Sequence, residues 1–123
     1  MRMKRVSGSP KRGEVWIINF DPTVGSEIRK TRPAVVLQNN IGNYFSAVTI
    51  VAAITSRSDD SLYPVEVSID PPEGGLDKRS VVLLNQIRTV DKRRMVKKIG
   101  MLTEDTMNAV DRALLISLGL IEL

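Results

Sequence analysis

Neither cysteine nor histidine occurs in this chain of 123 residues. Without cysteine there are no disulfides, thiolate nucleophiles or zinc–thiolate sites. Without histidine there is no imidazole acid or base, no Ser-His pair and no His-ligated metal. Any chemistry falls to Arg, Lys, carboxylates, amides and hydroxyls. Aromatic residues make up only 4%, a thin supply for stacking on nucleic-acid bases. Long apolar runs are missing too. The longest, Val48 to Ile54, is interrupted by Thr49 and falls far short of the roughly 20 residues that span a bilayer. Residues 1–12 lack the apolar core of a secretory signal. The expected setting is the cytoplasm, without membrane contact.

What is present suits one small domain: 42% hydrophobic and 26% charged residues, enough to bury roughly two-thirds of the unfolded surface. The 18 bases and 14 acids are unevenly spread. Residues 1–12 carry Arg2, Lys4, Arg5, Lys11 and Arg12 and no acid, which leaves 13 bases against 14 acids in the remainder. From Asp59 to Asp77 there are six acids. From Lys78 to Lys98 there are eight bases (Lys78, Arg79, Arg88, Lys92, Arg93, Arg94, Lys97, Lys98) against Asp91 alone. Such a stretch predicts an electropositive face suited to phosphate; a solvated cationic surface gives the same pattern.

Residues 1–12, with Ser7, Gly8, Ser9 and Pro10, show no period and read as a basic N-terminal arm before a single domain over 13–123. β patterning begins at Glu14. Strands are expected over Glu14 to Phe20, Ala34 to Gln38, Val48 to Thr55, Pro64 to Asp70, Ser80 to Leu84, Ile87 to Val90 and, briefly, Val96 to Met101. Turn chemistry separates them at Asn39 to Asn43, Ser58 to Ser61 and Pro71 to Gly75. A helix closes the chain: Thr103 caps it, Leu102 and Met107 hold the staple positions, Met107, Val110, Leu114 and Leu118 form one stripe, and Gly119 ends it. The fold class is mainly β (α+β), a small, strongly bent antiparallel barrel with a C-terminal α-helix.

Chemistry concentrates in the connection from Phe20 to Arg32, longer than the two to five residues of ordinary hairpin loops. It holds Ser26, Glu27 and three cations ending at Arg32, and Pro33 biases Arg32 toward an extended, fixed backbone. A guanidinium held there offers a bidentate fork to phosphate; it equally suits a strand-opening surface ion pair. If the strands at Ala34 and Val48 pair antiparallel, Arg32 neighbours Thr55 and Ser56, and Glu27 is expected to converge with them on one concave site. Gln86, Arg88 and Thr89 alternate with apolar residues on a later strand and either face a groove or form a polar outer face. Tyr44 and Tyr63 are either base-stacking residues or barrel-edge packing. No acidic group has ligand-like spacing, and Gly74-Gly75 lacks the Lys-Ser/Thr of a phosphate loop.

Five segments in order, Arg12-Gly13-Glu14-Val15-Trp16, Asp21-Pro22-Thr23-Val24-Gly25-Ser26-Glu27, Arg32-Pro33-Ala34-Val35-Val36, Ile50 to Thr55 and Gln86-Ile87-Arg88-Thr89-Val90-Asp91-Lys92, resemble the MazF/PemK toxins of toxin–antitoxin pairs. The likeness runs from about Lys11 to the C-terminus. It implies an SH3-like barrel that forms a homodimer and cuts single-stranded RNA at short sequences without metal or other cofactor. It also implies a cognate MazE-like antitoxin whose acidic, disordered tail fills the RNA groove. By the same resemblance Arg32 matches the phosphate-binding arginine, Thr55 a hydroxyl at the scissile phosphate and Gln86 a groove amide, with Ser26, Ser56, Arg88 and Thr89 as RNA-binding neighbours. Some members carry an acid just before the matching glutamine or a histidine in the first loop. Here those places offer Asn85 and no histidine, leaving Glu27 as the base or an arginine-assisted route without one. Toxins similar to CcdB share the barrel and bind DNA gyrase instead; a non-toxic nucleic-acid-binding module is the third reading.

Overall fold

The computed structural model of the chain describes residues 8–27, 30–57, 59 and 61–123. Most of the expected N-terminal arm and part of the turn at Ser58 to Ser61 lie outside these residues.

Strands β1 (Glu14–Asn19), β2 (Thr31–Val36) and β3 (Val48–Ser56) form where the β-branched runs predict them. Strands β2 and β3 are buried on both sides, and their alternation feeds two cores. Val35, Ala52 and Ile54 enter one core with Val15, Val82 and Leu84, beneath the C-terminal helix. Ala34, Val36, Val51 and Ala53 enter the other with Ile18, Phe20 and Val90. Burial on both faces explains why these strands read as nearly unbroken apolar runs rather than as a clean alternation.

Strands β4 (Glu66–Ile69), β5 (Ser80–Asp91) and β6 (Met95–Met101) complete a six-stranded sheet in the order β4-β5-β3-β2-β1-β6, antiparallel throughout. The two strands expected at Ser80 and Ile87 are one. Its partner on β3 jumps from Ile54 opposite Val82 to Ala52 opposite Ile87, so four residues of β5 answer Ala53 alone. This wide bulge is what the polar pair Asn85-Gln86 marks, and it bends the strand instead of ending it. The expected turn at Pro71 to Gly75 is a 3-10 turn, Glu73–Gly75, lying against β6. A Cβ on Gly75 would sit 1.9 Å from the Ile99 carbonyl oxygen, so only glycine permits this approach of the chain after β4 to the far edge of the sheet.

Between β2 and β3 a short helix, α1 (Asn40–Phe45), replaces the expected turn. Asn39 caps it by accepting from the Gly42 N–H at 2.8 Å. Asn43 is buried and fully used: its Nδ2 donates to Gln38 O (2.8 Å), and its Oδ1 accepts from Thr49 Oγ1 (2.6 Å) and Gln38 Nε2 (3.0 Å). Tyr44 packs edge-on to Phe45 with ring centroids 4.6 Å apart, and Tyr63 is exposed.

The C-terminal helix α2 (Glu104–Ser117) starts as expected, with Thr103 Oγ1 accepting from the Thr106 N–H at 3.2 Å and Leu102 and Met107 both buried. Its stripe turns out of the core at the end: Met107 and Val110 are buried, whereas Leu118 is 58% exposed. Lys11 and Arg12, read as part of the arm, belong to the fold. Arg12 Nε donates to Leu37 O at 2.9 Å and its Nη2 pairs with Asp111 of α2.

Candidate active site

The connection after β1 is pinned at its root from two directions. Within it, the Phe20 N–H donates to Lys30 O (3.0 Å) and the Lys30 N–H to Asp21 Oδ1 (3.0 Å). From β5, Arg88 Nη1 donates to Phe20 O at 2.5 Å and its guanidinium lies 5.9 Å from the Phe20 ring centroid. From the 3-10 turn Lys92–Arg94, Arg94 Nη1 donates to Asn19 O at 3.1 Å and also to Asp21 O. Farther out, Gln86 Nε2 reaches Ser26 O at 3.4 Å. Glu27 accepts from the Val24 N–H through Oε1 at 2.7 Å and lines a cavity of about 70 Å³ with Phe20, Gln86, Ile87 and Arg88.

Arg32 stands on β2 and is half-buried. Pairing of β2 with β3 stops at Ala34 opposite Ala53, beside Pro33, which has no N–H to extend the ladder. Where the two strands part, a cavity of about 210 Å³ opens, lined by Arg32, Pro33, Ile54, Ser56, Asp77 and Lys78 among others. Carrying the register two residues further brings Thr55 opposite Arg32, on the sheet face shared with Ala34 and Ala53. Thr55 is half-buried and pairs with Val81 on its other side.

Of the four residues expected to converge, three lie together and one lines a neighbouring cavity. Arg32 and Ser56 share one cavity, Thr55 lies beside it, and Glu27 lines another with Gln86 and Arg88. The reason is the loop's attachment to β5, which draws Glu27 toward the bulged strand rather than toward the end of β3. Thr89 departs altogether. Alternation turns it away from Arg88, into a cavity of about 380 Å³ beneath α2 with Leu37, Ile50, Ile87, Leu114 and Leu118. Asp77 carried no signal and Lys78 only that of the basic stretch it opens; neither was tied to Arg32, because they precede a strand and only the pairing of Ser56 with Ser80 brings them in.

The bases from Lys78 to Lys98 do not make one face. Arg88 and Arg94 hold loop carbonyls, Lys92 Nζ donates to Asn43 O, Arg93 pairs with Asp91 (3.0 Å), Arg79 lies 3.8 Å from Asp70 and Lys98 pairs with Glu14 (2.9 Å). Burial pulls the Lys92 ammonium below its usual value. Glu14 is a buried carboxylate. Burial alone pushes its pKa up, but the bonds from Lys98, the Lys11 N–H and Trp16 together outweigh that and hold it below the ordinary value. Glu66 is likewise lowered by a bidentate pair with Arg57, at 2.7 and 2.9 Å. In sum, the Arg32 guanidinium, the Lys78 ammonium and the Ser56 hydroxyl line one cavity at a strand junction with Asp77 in its wall and Thr55 beside it, an arrangement able to hold a phosphodiester.

Comparison with known proteins agrees with the architecture. The chain is 48% identical over 112 residues to endoribonuclease EndoA of Bacillus subtilis (strain 168), covering 91% of this chain and 97% of that one. It superposes on MazF of Deinococcus radiodurans with a TM-score of 0.77 at 30% identity, over 90% of this chain and 97% of that one. A MazE–MazF structure from Deinococcus radiodurans matches with a TM-score of 0.71 at 29% identity, again over 90% and 97% of the two chains. Residues 11–118 match the family described as PemK-like, MazF-like toxin of type II toxin–antitoxin system, and the chain belongs to that family.

Proposed function

We propose that this toxin is an endoribonuclease that cuts single-stranded RNA at short sequences without a metal ion. The observation that carries the reading is the 48% identity to an endoribonuclease over nearly the whole of both chains. The same observation disfavours the gyrase-binding alternative. In the proposed reaction the ribose 2′-oxygen attacks the adjacent phosphorus and the bond to the 5′-oxygen breaks, leaving a 2′,3′-cyclic phosphate and a 5′-OH. RNA supplies its own nucleophile, so a chain without cysteine or histidine is sufficient, and DNA is not a substrate. Arg32 neutralises the phosphoryl oxygens as charge gathers on them, and the Thr55 hydroxyl donates to the same phosphate. Ser26, Ser56, Gln86 and Arg88 contact the RNA strand near that phosphate. Glu27, in the cavity reached by the same loop rather than in that of Arg32, is the base for the 2′-OH when the RNA strand spans both cavities; an arginine-assisted route without a strong base is the second form of the mechanism. Glu27→Gln separates the two: loss of the acidic limb of the pH–rate profile supports the base, and an unchanged profile supports the arginine-assisted route.

The chain acts in the cytoplasm as a homodimer built from one toxin domain over 13–123, to which Lys11 and Arg12 of the basic arm are anchored, and is neutralised by a cognate antitoxin with an acidic tail. The MazE–MazF match supports the antitoxin. The apolar cavity beside exposed Leu118 supports a second copy. The direct test incubates purified protein with a long RNA and EDTA. Discrete fragments with 5′-OH ends are expected; RNA left intact across varied sequences, or cut only when metal is added, overturns the proposal.

A further inference from the structure

Next to the Arg32 cavity lies a second one of about 300 Å³, lined by Ser56, Arg57, Lys78 and Arg79. Ser56 and Lys78 line both, so the two adjoin. Three cations meet here from positions about 20 residues apart in sequence because the end of β3 is tied to the approach to β5: Ser56 pairs with Ser80, and the Arg57 N–H donates to Arg79 O at 3.1 Å. The cradle thus rests on sheet backbone. Glu66 holds the Arg57 guanidinium in place through both oxygens and matches its charge. Asp70 sits 3.8 Å from Arg79 but is 83% exposed in its side chain, where water screens it. Asp77 borders the Arg32 cavity. Lys78 and Arg79 bring positive charge to the wall of the second cavity, and the Ser56 hydroxyl is a further donor.

We propose that this cavity is a second phosphate subsite, gripping a non-scissile phosphodiester of the same RNA strand one step along from the phosphate at Arg32. The inference rests on the endoribonuclease reading and deepens it. Phosphates recur at every nucleotide, so a strand whose scissile phosphate lies at Arg32 presents another to a cation cluster adjoining it. A lysine point charge beside an arginine fork suits two non-bridging oxygens. Contacts of this kind set the register of the strand without reading its bases.

The test measures equilibrium binding of an RNA oligonucleotide with a 2′-deoxyribose at the cleavage position and a single neutral methylphosphonate walked through the other linkages. In the wild type, one non-scissile position is expected to weaken binding severalfold. In the Lys78→Gln/Arg79→Gln double variant the same position no longer matters. The slope of log affinity against log salt is then shallower by about 0.7, which makes the loss between 50 and 200 mM salt roughly threefold smaller. Circular dichroism melting checks that the variant is folded, and Lys78→Arg/Arg79→Lys, which keeps both charges, restores the wild-type dependence. A wild type indifferent to every non-scissile methylphosphonate, or a double variant with the wild-type pattern, overturns the subsite while RNA cleavage stands. Weakened capture of a poly-glutamate peptide with unchanged RNA binding overturns it in favour of an acidic protein ligand. A wild type that neither binds nor cuts RNA overturns both this inference and the reading beneath it.

Discussion

A guanidinium stabilises phosphoryl transfer most when its donors are aimed before the charge develops. Arg32 meets that condition through its backbone: β2 pairs with β1 as far as Thr31, and Pro33 stiffens the next position. Arg32→Ala is expected to slow RNA cleavage about 100- to 1000-fold. Arg32→Lys keeps the charge without the fork and should recover only part of the loss. Single-turnover rates with enzyme in excess separate this from weakened binding. This residue was legible in the sequence because Arg-Pro is a local signal; Lys78 was legible as a base of the cationic stretch but not as a neighbour of Ser56, some 20 residues away, because only strand pairing joins them. Glu14 is the opposite case, a carboxylate that serves the fold. Its folded pKa lies below the ordinary 4.5, so its contribution is complete above that value and is lost as pH falls through the folded value. Glu14→Gln should cost about 1–3 kcal/mol near neutrality and flatten the fall of stability below about pH 4.5, as urea titrations at several pH values would register.

At the scale of elements, the loop after β1 depends on cations borrowed from other strands. Arg88 and Arg94 together hold the carbonyls of Asn19, Phe20 and Asp21, and Gln86 adds one bond farther out. Removing Arg94 leaves two of these carbonyls without that donor while the β1–β2 ladder remains. Arg94→Ala should therefore raise the rate of limited proteolysis within residues 21–30 severalfold, with little change in melting temperature; equal rates for variant and wild type would show that the loop holds itself. The strands were readable as short β-branched apolar runs between turn residues, and α2 as a period-3.6 stripe, because each fills a core. Helix α1 was not: it has six residues, and its Asn39 cap and Gly42 carry turn chemistry. Nor was the continuity of β5, since Asn85-Gln86 reads as a break when the opposing bulge at Ala53 is out of view. The division of Glu27 from Arg32 has the same origin, because the loop's destination is set by β5 side chains that its own sequence does not reveal.

For the whole molecule the exposed end of α2 is where the proposed homodimer can be tested. Leu115 and Leu118 remain 38% and 58% exposed beside the apolar cavity formed by Leu37, Ile50, Ile87 and Leu114. Soluble monomers rarely leave such a contiguous surface uncovered. A two-fold contact through this face buries each leucine in both copies, so one substitution acts twice. With about 1.5–3 kcal/mol for each buried leucine, Leu118→Glu should weaken the dimer by about 3–6 kcal/mol, more than two orders of magnitude in Kd. Leu118 caps the C-terminus of the helix and, although it lines that cavity, is more than half exposed, unlike the buried Met107, Val110 and Ala113, so the fold should survive. Sedimentation velocity is expected to show wild type at twice the chain mass and the variant at the chain mass, with unchanged far-ultraviolet circular dichroism. A variant sedimenting with the wild type would move the interface elsewhere. Cleavage should fall together with the dimer if the RNA path crosses from one copy to the other, and should persist in the monomer if Arg32, Thr55 and the loop of a single copy suffice.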